Sequence, residues 1–259
     1  MSSTPLKYYP VDEFDPKDFL STYFCTKTDD ALLEDVVINP MKDVLKELKS
    51  GRFYGGMLTD MSVGPSIFHL LTISKLFKEI AILEFNDSCV SELKKWLNKD
   101  GDAQDWSHAS KILANLEGIS VGWNLKEDLL RSKIKYILKC DLARDNPTDP
   151  VVLPKADCIF SAWALDVVSK TKEDYIRNLR KTSTLLKQGG RLILLGALNI
   201  SYYTVGEHKF SVLTYDEKFL RKALKDGGYV IETFEARGRK TLTANLDYEK
   251  IVFVTAFKQ

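Results

Sequence analysis

The 259-residue chain has only three histidines, His69, His108 and His208, and four cysteines, Cys25, Cys89, Cys140 and Cys158. No histidine stands at ligand spacing from a cysteine or another histidine, and there is no CxxC pair, so a metal site is not expected. The scattered thiols favour free cysteines in a reducing compartment. No GxSxG occurs, so the nucleophile elbow of a Ser-His-Asp hydrolase is missing. Charge of one sign is also missing: 37 basic residues against 36 acidic ones leave +1. No net field steers such a chain to nucleic acid. The longest apolar runs, such as Leu192 to Leu195, are of strand length, far short of a membrane span. The opening MSSTPLKYYP has no apolar core of a signal peptide. A cytoplasmic protein engaging neither nucleic acid nor membrane is the expectation.

Hydrophobic residues make up 44% of the chain, enough for a sizeable core. Asp15-Pro16 reads as an N-cap followed by proline at the first helical position. The helix after it places Phe19, Tyr23 and Phe24 on roughly one face. A second helix is expected from Asp30 to Leu48. After Gly51 short apolar runs alternate with amphipathic segments. Strands are expected at Met57–Asp60, Ile80–Phe85, Tyr136–Leu138, Ala156–Phe160 and Arg191–Ala197. Helices are expected through Leu71, around Val90, Leu93 and Leu97, and from Asp174 to Leu186 with a stop at Gly189-Gly190. Such alternation implies a parallel sheet covered on both faces. Tyr229–Phe234 and Ile251–Ala256 read as an antiparallel edge, and SYYTVGEHKFSV as a short hairpin over the site. Residues 1–50 are expected to form a helical cap and residues 51–259 one compact unit.

Doubly wound sheets bind ligands beyond their C-terminal strand ends, at the switch point. Three features fall at such ends: the turn Asp60-Met61-Ser62-Val63-Gly64-Pro65, then Glu84, then Asp141. Glu84 stands 20 residues after Gly64, the interval at which dinucleotide folds place a ribose-binding acid. Singly, each has a blander reading: a Gly-Pro turn is usually only a turn, and a strand-end carboxylate is often a helix cap. In this order on successive strands they favour a nucleoside site. The glycine loop is not a full GxGxxG, which disfavours an NAD-dependent oxidoreductase.

The motifs FDPKDFLSTYF, LTDMSVGPSIFHLL, FKEIAILEFNDSCVSELKKWL, LPKADCIFSAWALDVVS and SYYTVGEHKFSVL resemble those of the vertebrate small-molecule amine N-methyltransferases, which act on nicotinamide, indolethylamine or phenylethanolamine. The resemblance covers nearly the whole chain. It implies a class I S-adenosylmethionine (SAM)-dependent methyltransferase fold: an α/β architecture with a mostly parallel, seven-stranded Rossmann-like sheet under a helical cap. It also implies a monomer that needs no metal. Carried over residue by residue, Glu84 meets the SAM ribose, and Asp141 and the backbone of Leu142 meet the adenine. Ser62, Val63 and Gly64 line the methionine side, with Ser66 and Phe68 beside them. Cys89 and Ala162 occupy further cofactor positions, and Phe19 and Phe24 those of the lid. Ser62 replaces a family glycine, a cost if that position needs positive φ or close backbone approach. Phe19, Phe24 and Phe68 replace tyrosines, so three hydroxyl donors are missing and weaker SAM affinity is expected.

The expected reaction is in-line attack of a nitrogen lone pair on the sulfonium methyl. Asp166 is the expected group beside the amine, with Tyr203 as its catalytic companion. Trp163 offers a flat face for an aromatic ring, and Ile200, Tyr202 and Asp247 complete the expected substrate contacts. Packing is the plain alternative for the aromatics. Where nicotinamide enzymes grip the carboxamide, this chain has Gly196, Ile200 and Val212, none with a polar side chain. The expected substrate is therefore a small aromatic amine of the tryptamine type. The alternatives are nicotinamide or a phenylethanolamine and, outside the class, a SAM-binding protein with little catalysis.

Overall fold

The computed structural model describes residues 5–25, 27–119 and 122–259. Asp15 caps α1 (Pro16–Phe24): its carboxylate accepts from the N–H groups of Lys17 at 2.7 Å and Asp18 at 3.2 Å. The helix buries Phe19, Leu20, Tyr23 and Phe24. The single helix expected from Asp30 to Leu48 is broken in character. It comprises α2 (Asp30–Leu33), a π-helical turn at Glu34–Ile38 and α3 (Asn39–Leu48). Pro40 has no N–H to give the preceding turn, and the ladder widens just ahead of it.

The β/α alternation begins at β1 (Gly55–Asp60) and runs through α4 (Phe68–Ile73), β2 (Phe77–Glu84) and α5 (Asp87–Asn98). Helices α6 (Ser107–Leu116) and α7 (Trp123–Lys133) follow, in addition to the expected elements. Then come β3 (Ile134–Lys139), β4 (Ala156–Ala162), α8 (Ala164–Val168), α9 (Lys172–Thr184) and β5 (Leu186–Leu198). Helix α9 starts before Asp174 because Thr171 and Asp174 form a reciprocal capping box. It ends before Gly189-Gly190, which lie inside β5 rather than at the helix stop. The hairpin β6 (Tyr202–Val205) and β7 (His208–Ser211), α10 (Glu217–Asp226), β8 (Tyr229–Gly238) and β9 (Lys250–Lys258) complete the chain.

The seven-stranded sheet has the order β3-β2-β1-β4-β5-β9-β8. Strands β1 to β5 pair in parallel; β9 runs antiparallel between β5 and β8. The chain therefore leaves β1 in one direction and β4 in the other. The split opens a crevice beyond their C-terminal ends, where a ligand sits in such folds.

The N-terminal helices share one hydrophobic core with the sheet. Leu20, Met41 and Val44 are completely buried, contributing roughly 1.5–3 kcal/mol each. Polar ties fix the same cap: Arg237 of β8 forms a two-pronged pair with Asp43 of α3. Asp35 accepts from the N–H groups of Lys240 at 2.8 Å and Thr241 at 3.1 Å, and from the Tyr248 hydroxyl at 2.7 Å. The Tyr23 hydroxyl donates to the Thr204 carbonyl at 2.8 Å, and the Lys7 N–H to the Lys209 carbonyl at 2.9 Å. Cap and β6–β7 hairpin are thus one connected roof over the crevice. Among the described residues no helix is long and apolar enough to cross a membrane.

Candidate active site

The loop after β1 stays pinned to β4: the Met61 N–H donates to the Phe160 carbonyl at 2.8 Å and the Val63 N–H to the Ala162 carbonyl at 3.0 Å. Gly64 is its one left-handed residue, with φ of +71°, and a Cβ there would lie 2.6 Å from the Phe19 ring. The conformational demand of the turn therefore falls on Gly64. Ser62 is not among the residues of positive φ, so it carries no penalty of that kind. Its hydroxyl works as a tether instead. It donates to Asp60 Oδ1 at 2.7 Å, accepts from the Ala162 N–H at 3.1 Å, and lies 3.1 Å from His69 Nε2. His69 Nε2 itself is 2.7 Å from Asp60 Oδ1, and all three side chains are buried. His69 escapes a reading of the sequence because its partners are recognised only once β1 and α4 are packed.

Glu84 ends β2 with 1% of its surface exposed. Its Oε1 accepts from the N–H groups of Phe85 at 2.6 Å and Asn86 at 3.0 Å, and from the Tyr9 hydroxyl. Its Oε2 is buried with no partner. Burial pushes the carboxyl up to about 7, against the pull of those three donors. An unpaired buried acceptor costs about 1–3 kcal/mol, and a sugar hydroxyl is the kind of donor that relieves it. Glu84 thus fits a nucleoside cofactor. Tyr9, 3% exposed, has no motif to signal this role; only the fold brings it 75 residues forward onto Glu84. Burial and the neighbouring Glu84 hold its phenol well above the usual range.

The other positions expected at the cofactor lie on α1, on α4, on α5 and at the ends of β1, β3 and β4. Cys89 is buried on α5, where burial raises its thiol pKa. Ser66 is buried in the loop, and Phe68 opens α4 with its ring 5.0 Å from that of Phe24. Ala162 ends β4. Asp141 follows β3 at the surface, where it accepts from the Ala143 N–H at 2.9 Å, while Leu142 beside it is buried.

A cavity lies between the cap, the loop after β1, α8 and the β6–β7 hairpin. Phe19, Phe24 and Val63 meet Trp163, Asp166, Ile200 and Tyr203 in its wall. Sequence reasoning does not place Val36, Leu246 and Ile251 there, yet they complete the lining. Ordinary apolar residues carry no sequence signal that separates a pocket wall from a core. Trp163 has φ of +55° at the N-terminus of α8. A bulky residue in that region costs on the order of 1–3 kcal/mol, a strain that collects at functional sites.

Asp166 is the one carboxylate among the lining residues, and it is 2% exposed. Burial raises it to about 7; hydrogen bonds from the Tyr215 hydroxyl at 2.6 Å and the Ala197 N–H at 3.2 Å oppose the rise. The Tyr203 hydroxyl is buried without a partner, and burial holds that phenol well above its usual range.

Tyr202 and Asp247 are not brought to the cavity. Strand alternation turns Tyr202 away from Tyr203. Its hydroxyl donates to the Ala244 carbonyl at 3.1 Å, and Lys209 stacks on its ring. Asp247 accepts from the Ser201 and Tyr202 N–H groups at 2.7 Å and 3.1 Å and from the Ser201 hydroxyl. Both carboxylate oxygens thus serve to anchor the loop before β6. Its neighbour Leu246 reaches the cavity in its place. Among the described residues no group of His, Cys, Asp or Glu is placed to hold a metal ion.

The chain is 36% identical over 225 residues to human nicotinamide N-methyltransferase, covering 87% of this chain and 85% of that one. It is 35% identical over 219 residues to rabbit (Oryctolagus cuniculus) indolethylamine N-methyltransferase, with 85% and 83% covered. Mouse phenylethanolamine N-methyltransferase is 33% identical over 222 residues, with 84% and 75% covered. Among solved structures, the magnesium protoporphyrin IX methyltransferase of Synechocystis PCC 6803 with bound SAH has a TM-score of 0.56 at 15% identity, over 94% of this chain and 93% of that one. A glycopeptide N-methyltransferase complexed with SAM has a TM-score of 0.53 at 11% identity, over 84% and 87%. These structures share the class I SAM-dependent methyltransferase fold with the sheet described above. The model of the NNMT/PNMT/TEMT family matches residues 6–259, and the chain belongs to that family.

Proposed function

We propose that this SAM-dependent N-methyltransferase acts on a small aromatic amine, with indolethylamines such as tryptamine preferred over nicotinamide. The observation that carries the reading is Asp166, the one carboxylate in an otherwise apolar and aromatic wall. A single buried carboxylate among flat side chains suits a molecule with one cationic end and one ring. Gly196, Ile200 and Val212 offer no side-chain partner to a carboxamide. Leaving an amide unpaired costs roughly 1–3 kcal/mol, or about one to two orders of magnitude in affinity. The identity to the nicotinamide and indolethylamine enzymes is nearly equal, so overall similarity does not choose between them.

In this reading SAM supplies a methyl group already activated on a sulfonium. Glu84 takes ribose hydroxyls on its free oxygen, and Asp141 and the Leu142 backbone border the adenine. The Ser62–Gly64 loop, Ser66, Cys89 and Ala162 hold the remainder. Phe19, Phe24 and Phe68 close over the cofactor with aromatic faces alone. Residues 1–50 act as the lid, excluding water from the transfer. Trp163 and Tyr203 hold the substrate ring while Asp166 faces its nitrogen.

Competition between equal concentrations of tryptamine and nicotinamide, read by mass spectrometry of the methylated products, tests the substrate. We expect methylated tryptamine to dominate by at least about tenfold. A dominant methylnicotinamide product would assign the nicotinamide activity instead.

A further inference from the structure

Tyr215, in the segment between β7 and α10, is 1% exposed. Its hydroxyl donates to Asp166 Oδ1 at 2.6 Å. The phenol reaches that point through a space left open by Gly196. A Cβ at position 196 would lie 2.7 Å from the Tyr215 hydroxyl and 3.2 Å from Asp166 Oδ2. A side chain at 196 and a hydroxyl on residue 215 therefore exclude each other. The Tyr175 ring packs against Tyr215, centroids 5.4 Å apart.

We propose that Tyr215, seated in the space that Gly196 leaves empty, is the positioning residue that fixes the Asp166 carboxylate as acceptor of the proton a bound ammonium must lose before methyl transfer. This rests on the amine-methyltransferase reading. Each carboxylate oxygen has two lone-pair sites. Tyr215 uses one on Oδ1 and the Ala197 N–H one on Oδ2, so one on each remains for the substrate. In the step, an ammonium N–H bond breaks and its electron pair stays on nitrogen as the attacking lone pair. The proton passes to Asp166, leaving a neutral amine beside a neutral acid. When the pocket reopens the acid returns the proton to water.

Electrostatics explain why a hydroxyl is needed there. The titratable groups facing Asp166 are Tyr215, Tyr175 of α9 behind it, and Tyr203 and Tyr23 in the same pocket wall; β5 and β9 present only Gly196, Ala197, Ile251 and Val252. Among the described residues no cation lines the pocket to hold the carboxylate ionised. The Tyr215 hydrogen bond favours the ionised form against burial. Without it, burial raises the group further, and more of it is already protonated when the ammonium arrives.

The test is Tyr215→Phe, which keeps the ring and removes the hydroxyl. With tryptamine, the acid limb of kcat/KM should move up by about one pH unit or more. The loss should be tenfold to a hundredfold near pH 6 and shrink at high pH. With quinoline, whose nitrogen is neutral across this range, the profile should keep its shape. Equal losses with both substrates at every pH would overturn the proposal in favour of simple packing.

A second measurement needs no turnover. Carbon-13 NMR of protein labelled at aspartate carboxyls follows Asp166, whose signal is identified by its absence in Asp166→Asn. Its midpoint should rise in Tyr215→Phe; an unmoved midpoint refutes the coupling. Should wild-type protein methylate no amine while the midpoint moves, the substrate reading fails and the Tyr215–Asp166 coupling stands. Gly196→Ala should lower the melting temperature, and adding Tyr215→Phe should recover part of that loss. Strictly additive losses would show that the two positions do not share the space.

Discussion

Replacing Glu84 with glutamine should weaken SAM binding and remove its pH dependence near neutrality. Glutamine keeps an oxygen for the Phe85 and Asn86 N–H groups, so the strand end remains tied. It puts an NH₂ where the unpaired Oε2 lies, turning the acceptor proposed to meet the ribose into a donor. Losing one hydrogen bond to a charged group costs about 1.5–3 kcal/mol, or roughly 10- to 150-fold in Kd. The pH behaviour follows from burial, which raises Glu84 from 4.5 to about 7. An acid raised on folding favours the neutral folded form. Its contribution to stability is present below the unfolded value and lost as pH climbs through the folded one. For Glu84 the window runs from 4.5 to about 7, and the loss is roughly 3 kcal/mol. Two ribose hydroxyls prefer the ionised carboxylate, so SAM should bind more tightly at pH 8 than at pH 6 and shift the melting temperature more. The glutamine variant should show neither trend. Calorimetric titration with SAM at pH 6, 7 and 8, paired with melting curves, measures both. A variant that matches wild type in affinity and slope would remove Glu84 from the cofactor site.

Ser62→Gly should destabilise the protein by about 1–3 kcal/mol, because the Ala162 N–H loses its buried acceptor. A thermal melt no lower than wild type would show that the tether carries nothing. Tyr23→Phe should cost the cap about 1 kcal/mol through the lost bond to the Thr204 carbonyl. It should raise the KM of both substrates while the global melt hardly moves. An unchanged KM would separate α1 docking from ligand closure.

The alternation of strands and helices was legible in the chain because it is written in local periods, although α6, α7, α8 and α10 were not among the expected elements. Alternation of two marks the strands and 3.6 the helices, and a capping residue such as Asp15 acts within three residues of itself. The strand-end position of Glu84 was legible for the same reason. The hairpin Tyr202–Ser211 also shows in the sequence, through a polar turn at Gly206 between Tyr202-Tyr203 and Phe210. The boundaries were less legible. The π-helical turn before Pro40 and the run of β5 through Gly189-Gly190 depend on ladders that form only against neighbours.

The site itself was decided by tertiary structure. The sequence marks Asp166 as the group beside the amine and adds Tyr202 and Asp247 as further substrate contacts. Burial then keeps Asp166 at the cavity, strand alternation turns Tyr202 outward, and backbone N–H groups claim Asp247. Tyr215 reaches Asp166 from 49 residues away and Tyr9 reaches Glu84 from 75, distances at which no local pattern operates. Periodicity tells a residue which face of its own element it occupies. Which other face it meets, and whether the carboxylate there is left one free oxygen, is fixed only when distant segments pack.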